Sequence, residues 1–259
     1  SLYLMIDCVE LTNFKCFAYA DIKLKNLTVL SGLNGMGKST VIQSLLLLRQ
    51  SWMSGGFTSE QVALNGKLVN LGTGRDVLNE SAASDSISIK TTGDSESVFI
   101  MNYDSSMDLL KCDLQKTKVN KESSLFTNSF GYLMAERVGP RTSNEIEVYP
   151  VSSSRSLSHD GHDAPYFVLE YGEEKLHSDK INHPLAKSDS LRSNVEAWMS
   201  EISPGLQITY SGYSSIDQVS TRYKYNTGRS LSNEYRATNV GFGISYALPV
   251  VIMLLAAKP

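Results

Sequence analysis

Residues 27–40 read Leu-Thr-Val-Leu-Ser-Gly-Leu-Asn-Gly-Met-Gly-Lys-Ser-Thr. No other stretch of the chain limits its fold so strongly. Residues 27–31 are a short β-rich apolar run. It ends in a glycine loop that fits G-x-x-x-x-G-K-[ST] at Gly32, Gly37, Lys38 and Ser39. Residues 41–50 follow and are mostly good helix formers. Strand, loop and helix are the context that this motif requires. Glycines let the backbone turn tightly and bring its amides close to a ligand. Successive N–H groups then converge on phosphate oxygens, and the helix adds its partial positive end. The expected cradle comprises Asn34, Gly35, Met36, Gly37, Lys38, Ser39 and Thr40. Lys38 is expected to reach the β- and γ-phosphates of a nucleoside triphosphate, and Ser39 to offer its hydroxyl to Mg²⁺.

The rest of the composition sets bounds. The 259 residues suffice for one large domain or two modest ones. A chain that is 41% hydrophobic and 20% charged is globular rather than disordered. A net charge of −3 gives no global field that draws nucleic acid, although a local basic patch remains open. Cys8, Cys16 and Cys112 are scattered, which points to a reducing cytoplasm and no disulfide frame. Asp7 and Glu10 interrupt the apolar residues near the start, unlike a secretory leader. The apolar run 246–257 is too short to span a bilayer and contains Pro249, so it reads as a buried helix.

Along the chain, residues 5–11 and 20–25 read as two strands forming an antiparallel ribbon. Residues 68–78 read as a short strand or turn leading into a short helix. Residues 86–90 and 97–101 alternate like strands, with Gly93-Asp94 suited to a hairpin. Residues 131–141 look like a buried strand that stops at Gly139-Pro140. Residues 152–164 are polar and suggest a mobile loop. Its His159-Asp160-Gly161-His162-Asp163 run has metal-ligand residue types at no standard spacing, so a solvated loop is expected first. Leu191, Val195, Trp198, Met199 and Ile202 repeat at helical spacing and read as core. Residues 206–213 and 218–225 read as strands. Arg222-Tyr223-Lys224-Tyr225 is the nearest approach to a nucleic-acid-binding pattern, and a solvated strand face accounts for it equally well.

Four stretches together resemble the ABC-type ATPases of the SMC, RecF and OLD group, closest to the bacterial predicted-ATPase branch often linked to antiphage defence. They are residues 11–17, similar to an N-terminal NF(K/R)xF segment; the phosphate loop with Asn34-Gly35; residues 135–141; and residues 239–245, placed like a signature motif ahead of an apolar helix. The resemblance implies a P-loop α/β sheet with an antiparallel β lobe and inserted loops. It implies a phosphate-loop lobe at 1–85, a β-rich insert with a helical segment at 86–235 and a signature-like helix at 236–259. It further implies ATP and Mg²⁺ as ligands, and head-to-head pairing with the nucleotide between subunits. Lys15 would bring a cation to the nucleotide, or is an ordinary surface lysine. Gly243 and Ser245 would contact the γ-phosphate across the dimer, or are simply a glycine-rich helix start. They depart from the family's serine-glycine-glycine order. Glu136, Arg137 and Arg141 serve function or fold-supporting ion pairs.

Relatives follow the signature helix with an apolar strand ending in Asp-Glu, the Walker B pair. No run of four apolar residues followed by Asp-Glu occurs here. The expectation is therefore one portion of an ATPase head, with the strand and general base supplied by a second polypeptide or a continuation. The leading reading is ATP hydrolysis in a DNA-repair or antiphage-defence type assembly, with DNA a partner by likeness only. The rivals are a non-hydrolysing module that clamps a complex around ATP, and a P-loop kinase, against which the long β insertions argue.

Overall fold

The computed structural model describes residues 5–55, 60–93, 95–128, 130–146, 151, 155–228 and 230–257. The chain divides into two units, Ser1–Phe130 and Gly131–Pro259. In the first, β1 (Ile6–Phe14) and β2 (Phe17–Lys23) form a hairpin, followed by α1 (Lys38–Met53), β3 (Gln61–Ala63), α2 (Gly74–Val77), β4 (Ser86–Gly93), β5 (Ser97–Asn102) and β6 (Leu109–Lys111). One antiparallel sheet has the order β2-β1-β4-β5, and β3 pairs with β6 separately. The register sets Leu11 opposite Ile89, and Ile89 opposite Phe99, so alternate apolar residues share one buried face. Residues 86–102, read from sequence as the start of an insert, thus extend the sheet begun by the N-terminal ribbon.

The register of β1 leaves the turn at residues 15–16 to reverse the chain. Asn13 and Lys15 both adopt positive φ there, 56° and 52°. Such strain persists only where neighbours determine it. Here Lys15 N–H donates to Val77 O (2.7 Å), Asn79 Nδ2 donates to Lys15 O (2.6 Å) and Asn13 Nδ2 donates to Ser86 O (2.9 Å). Helix α1 is tied to β3 by its buried Gln50, whose Nε2 donates to Ala63 O at 2.8 Å.

The second unit contains β7 (Asn144–Glu145), α3 (Ala164–Tyr171), α4 (Leu191–Ile202), β8 (Leu206–Tyr213), β9 (Gln218–Tyr225), β10 (Tyr235–Arg236) and α5 (Phe242–Ala256). Strand β9 pairs along its length with β8 and, at different points, with β7 and β10, all antiparallel. Its core joins Phe167 and Val168 of α3, Val195 and Met199 of α4, Ile208, Tyr210 and Tyr223 of the sheet, and Leu248 and Ile252 of α5. Among the described residues no helix is long and apolar enough to cross a membrane.

Several expectations need correction. Residues 27–31 form no strand, and Leu27 and Val29 are 82% and 77% exposed. A strand draws its stability from cross-strand neighbours, and among the described residues this run has none. All described strand pairings are antiparallel. Residues 131–141 are neither buried nor a strand. Their amides reach a loop instead: Met134 N–H donates to His159 O and Val138 N–H to Asp160 O. Trp198 stands at the rim, its indole N–H donating to Ile181 O (3.2 Å) and its ring edge-on to His183. In α5 one stripe is buried (Ile244, Leu248, Ile252, Leu255), while Leu254 and Phe242 are exposed, so the helix is half-buried rather than enclosed. Residues 152–154 of the polar segment lie outside the described residues.

Candidate functional site

The phosphate loop lies in the first unit and runs into α1. Gly35 and Gly37 have φ of 81° and 87°, a region that L side chains avoid. A Cβ at Gly32 or Gly35 would meet nothing within 4 Å, so the backbone there borders open space. Gly37 is different: a Cβ there would lie 2.3 Å from Phe17 Cζ and 2.8 Å from Cys16 Sγ. The tip of the β1–β2 hairpin therefore seats against the last glycine of the loop.

Helix α1 starts without a side-chain cap and with no acidic residue in its first turn. Its leading amides and the positive end of its dipole face the loop unopposed. Lys38, its first residue, folds back so that Nζ donates to Gly32 O (2.8 Å) and Leu33 O (2.6 Å). Ser39 is exposed, with no hydrogen-bond partner among the described residues, whereas Thr40 is buried and accepts from Cys16 Sγ at 3.7 Å. Asn34 and Met36 are exposed. Lys15 Nζ donates to Gln43 Oε1 (2.9 Å), which places this cation beside the second turn of α1. Asp76 of α2 accepts from the Thr73 amide and hydroxyl, which hold its carboxyl below the usual range.

The residues fit a triphosphate with a divalent cation. The loop offers an uncapped helix start, the Lys38 ammonium and the unengaged Ser39 hydroxyl where the helix begins. The loop residues expected from sequence lie together at the start of α1, and Lys15 lies beside its second turn. Sequence reasoning missed Cys16, Phe17 and Gln43, which set the loop from behind. The only signal for them was that Cys16 and Phe17 close the 11–17 segment and Gln43 lies in the second turn of the helix.

Gly243 and Ser245 lie elsewhere, in the first turn of α5 in the second unit. Gly243 faces open space. Ser245 lines a small cleft of about 40 Å³ with Arg141, Asn144, His162 and Thr221. Three stretches singled out from sequence thus meet within that unit: 135–141, 159–163 and 239–245. Arg137 supports the fold there. Its Nε donates to Tyr246 O (3.2 Å), and its guanidinium lies over the Tyr246 ring. Arg141 is exposed.

The His-Asp run is a tied loop, not a solvated one. Asp163 is fully buried and accepts from the Ser158 amide (2.9 Å) and hydroxyl (2.8 Å), and burial pushes its carboxyl up. Burial also pushes Asp160 up, but its contacts with His162 (2.6 Å) and Ser158 outweigh this and leave it below the usual range. Burial lowers His159, against the pull of Asp160 and Asp163. Among the described residues no group of three or more His, Cys, Asp and Glu side chains could hold a metal ion.

The family model described as an AAA ATPase domain matches residues 5–137, about half of the chain, including the whole phosphate loop and the hairpin behind it. No curated protein matches the chain.

Proposed function

Because the chain belongs to the AAA ATPase domain family, we propose that residues 32–40 bind ATP with Mg²⁺, and that the completed head hydrolyses it. The observation that carries this reading is the loop itself. It borders open space at Gly32 and Gly35, is backed by an uncapped helix start, and is spanned by Lys38. When phosphate arrives, Lys38 exchanges two carbonyl acceptors for charged oxygens, a stronger partnership for an ammonium. The loop amides hold the β- and γ-phosphates in line, and Ser39 offers its oxygen to the metal. Bound Mg²⁺, held by Ser39, would neutralise charge that develops on the phosphate. Lys15, held by Gln43, supplies a second cation beside α1. Catalysis of this kind rests on positioning and charge, not on a covalent intermediate.

Hydrolysis also needs a group that positions water. The exposed apolar run at 27–33 supports completion of the head by a further strand, from a second polypeptide or from a continuation of this one. Head-to-head pairing, with Gly243 and Ser245 meeting a partner's nucleotide, extends the same reading. A DNA-repair or antiphage-defence assembly is the setting suggested by family likeness. The same exposed run favours a second reading, in which this chain clamps a complex around ATP without turnover. Titration of the full chain with a fluorescent ATP analogue tests the core of the proposal. Lys38→Ala is expected to weaken binding at least tenfold, and equal affinity would refute it. Phosphate release from the complete assembly separates turnover from clamping.

A further inference from the structure

In the second unit, α4 and the loop before it border a cleft of about 190 Å³ against the start of β8 and the residue after β9. That is many times the ~15 Å³ that a single water needs, so a ligand of several heavy atoms fits. The loop wall is fixed. Asn194 of α4, fully buried, accepts from His183 N–H at 2.7 Å.

The charges that line the cleft do not cancel. Leu185 N–H donates to His183 Nδ1 (3.1 Å), so the ring proton sits on Nε2. From there it donates to Glu201 Oε1 at 3.2 Å. The imidazole is therefore a neutral donor, and Glu201 gains a hydrogen bond from it but no counter-charge. Glu196 is differently placed. Its Oε1 faces Lys187 Nζ at 3.3 Å, and its Oε2 accepts from Ile208 N–H at 3.0 Å. Lys187 and Glu196 offset each other, which leaves one negative charge, on Glu201. That side chain is 60% exposed, so its carboxylate is reachable from solvent. Its Oε2 makes no hydrogen bond among the described residues, and neither does the side-chain amide of Gln207, on the opposite wall. Leu185, Ala197 and Leu206 supply apolar surface between these polar groups.

We infer that this cleft binds a small aliphatic amine, with its ammonium group on Glu201 and Gln207 and its alkyl stem along Leu185, Ala197 and Leu206. An ammonium carries three donors and one charge, which matches a free carboxylate oxygen, a free amide oxygen and a net charge of minus one. The stem removes apolar surface of the cleft from water. Anions are repelled by the same charge. A bare divalent cation is a poor fit, because it needs several oxygen ligands, and among the described residues no three His, Cys, Asp and Glu side chains could hold a metal. The reading does not depend on nucleotide binding at residues 32–40.

The test titrates the ¹⁵N-labelled full chain with n-butylamine at pH 7 and follows the amides of Leu185 and Ile208, which donate to lining side chains. Both should shift saturably. n-Butanol, which lacks the charge, and tetramethylammonium, which lacks N–H donors, should bind at least tenfold more weakly. Glu201→Gln is expected to weaken n-butylamine at least tenfold while melting with wild type, because glutamine still accepts from His183 Nε2–H. Lys187→Gln should act in the opposite sense and tighten binding about threefold, since a competing cation has gone. A merely structural cleft gives no such pair of opposite effects. Glu122→Gln, an exposed acid in the first unit, should change nothing. Shifts that rise linearly without saturating would overturn the inference. So would equal responses to n-butanol or tetramethylammonium, or an unchanged affinity in Glu201→Gln. Tenfold tighter binding of Nα-acetyl-lysine N-methylamide would also overturn it, by making a protein side chain the occupant.

Discussion

Replacing Gly37 with alanine probes the contact that joins the hairpin tip to the phosphate loop. Two penalties add at this position. The residue sits at φ 87°, where an L side chain costs about 1–2 kcal/mol. The new methyl also lands 2.3 Å from Phe17 Cζ and 2.8 Å from Cys16 Sγ, and an overpacked site costs a further 1–3 kcal/mol or so. The Phe17 ring can swing aside, which sets the lower limit of the second figure. Gly35→Ala is the matched control, because it has a similar φ of 81° and no atom within 4 Å. Its cost should be the strain alone. Thermal melting of the full chain reads the difference, at about 2–4 °C per kcal/mol for a chain of this size. The expected order is wild type, then Gly35→Ala, then Gly37→Ala, with ATP affinity lost in the last. Phe17→Ala combined with Gly37→Ala should recover part of the second penalty, giving a coupling that a cycle of four proteins measures. If Gly37→Ala melts with Gly35→Ala and retains its nucleotide affinity, the hairpin does not brace the loop.

Three further outcomes follow from the geometry. Cys16 is exposed, whereas burial pushes Cys112 up to about 11 and raises Cys8. Iodoacetamide at pH 8 should therefore label Cys16 first, and ATP should slow that labelling, since Cys16 abuts Gly37 and Thr40. Asn194 is fully buried; it accepts from His183 N–H (2.7 Å) and donates to Ser188 O and Ser190 O, so Asn194→Ala should cost about 1–3 kcal/mol, read as a lower melting temperature. Asp160 and Asp163 should act oppositely with pH. Asp160 is depressed, so its contribution holds above the usual carboxylate range and is lost as pH falls through its folded value. Asp163 is raised, so its contribution is full in acid and is lost as pH rises through its folded value. Melting profiles of Asp160→Asn and Asp163→Asn between pH 3 and 7 should diverge from wild type in opposite directions.

What was legible in the chain was local. The stripe Leu191, Val195 and Met199 marked α4, and the alternation in residues 206–213 and 218–225 marked β8 and β9 at their observed bounds. The motif at 32–40 carried its own geometry, because glycine positions and a helix start are dictated within a few residues. What escaped depended on partners distant in sequence. Trp198 fits a helical core stripe, yet its neighbours in space leave it at the rim, where its N–H finds Ile181 O. Residues 131–141 have the apolar content of a strand, but their amides are taken by the 159–160 loop. Phe17 against Gly37 joins positions twenty residues apart by the folding back of the hairpin, and no periodicity reports such a contact.

The run at 27–33 shows how far local pattern and stable structure can separate. Its β-rich composition favours a strand, and the motif that follows requires one. Yet Leu27, Val29 and Leu33 are 82%, 77% and 79% exposed. Burying three such side chains would contribute about 4–9 kcal/mol. Ordering each residue of the run costs about 1–2 kcal/mol, so burial alone does not fix it, and ladder hydrogen bonds must join in. A neighbouring strand supplies both at once, which is why the segment stays irregular without one. Hydrogen exchange distinguishes the alternatives. Amides of residues 27–31 should exchange fast in this chain and become protected when a completing segment is present, together with the loop amides they lead into. Protection of 27–31 in the chain alone would mean that the run is already paired, and the head would then need no further strand to present its phosphate loop.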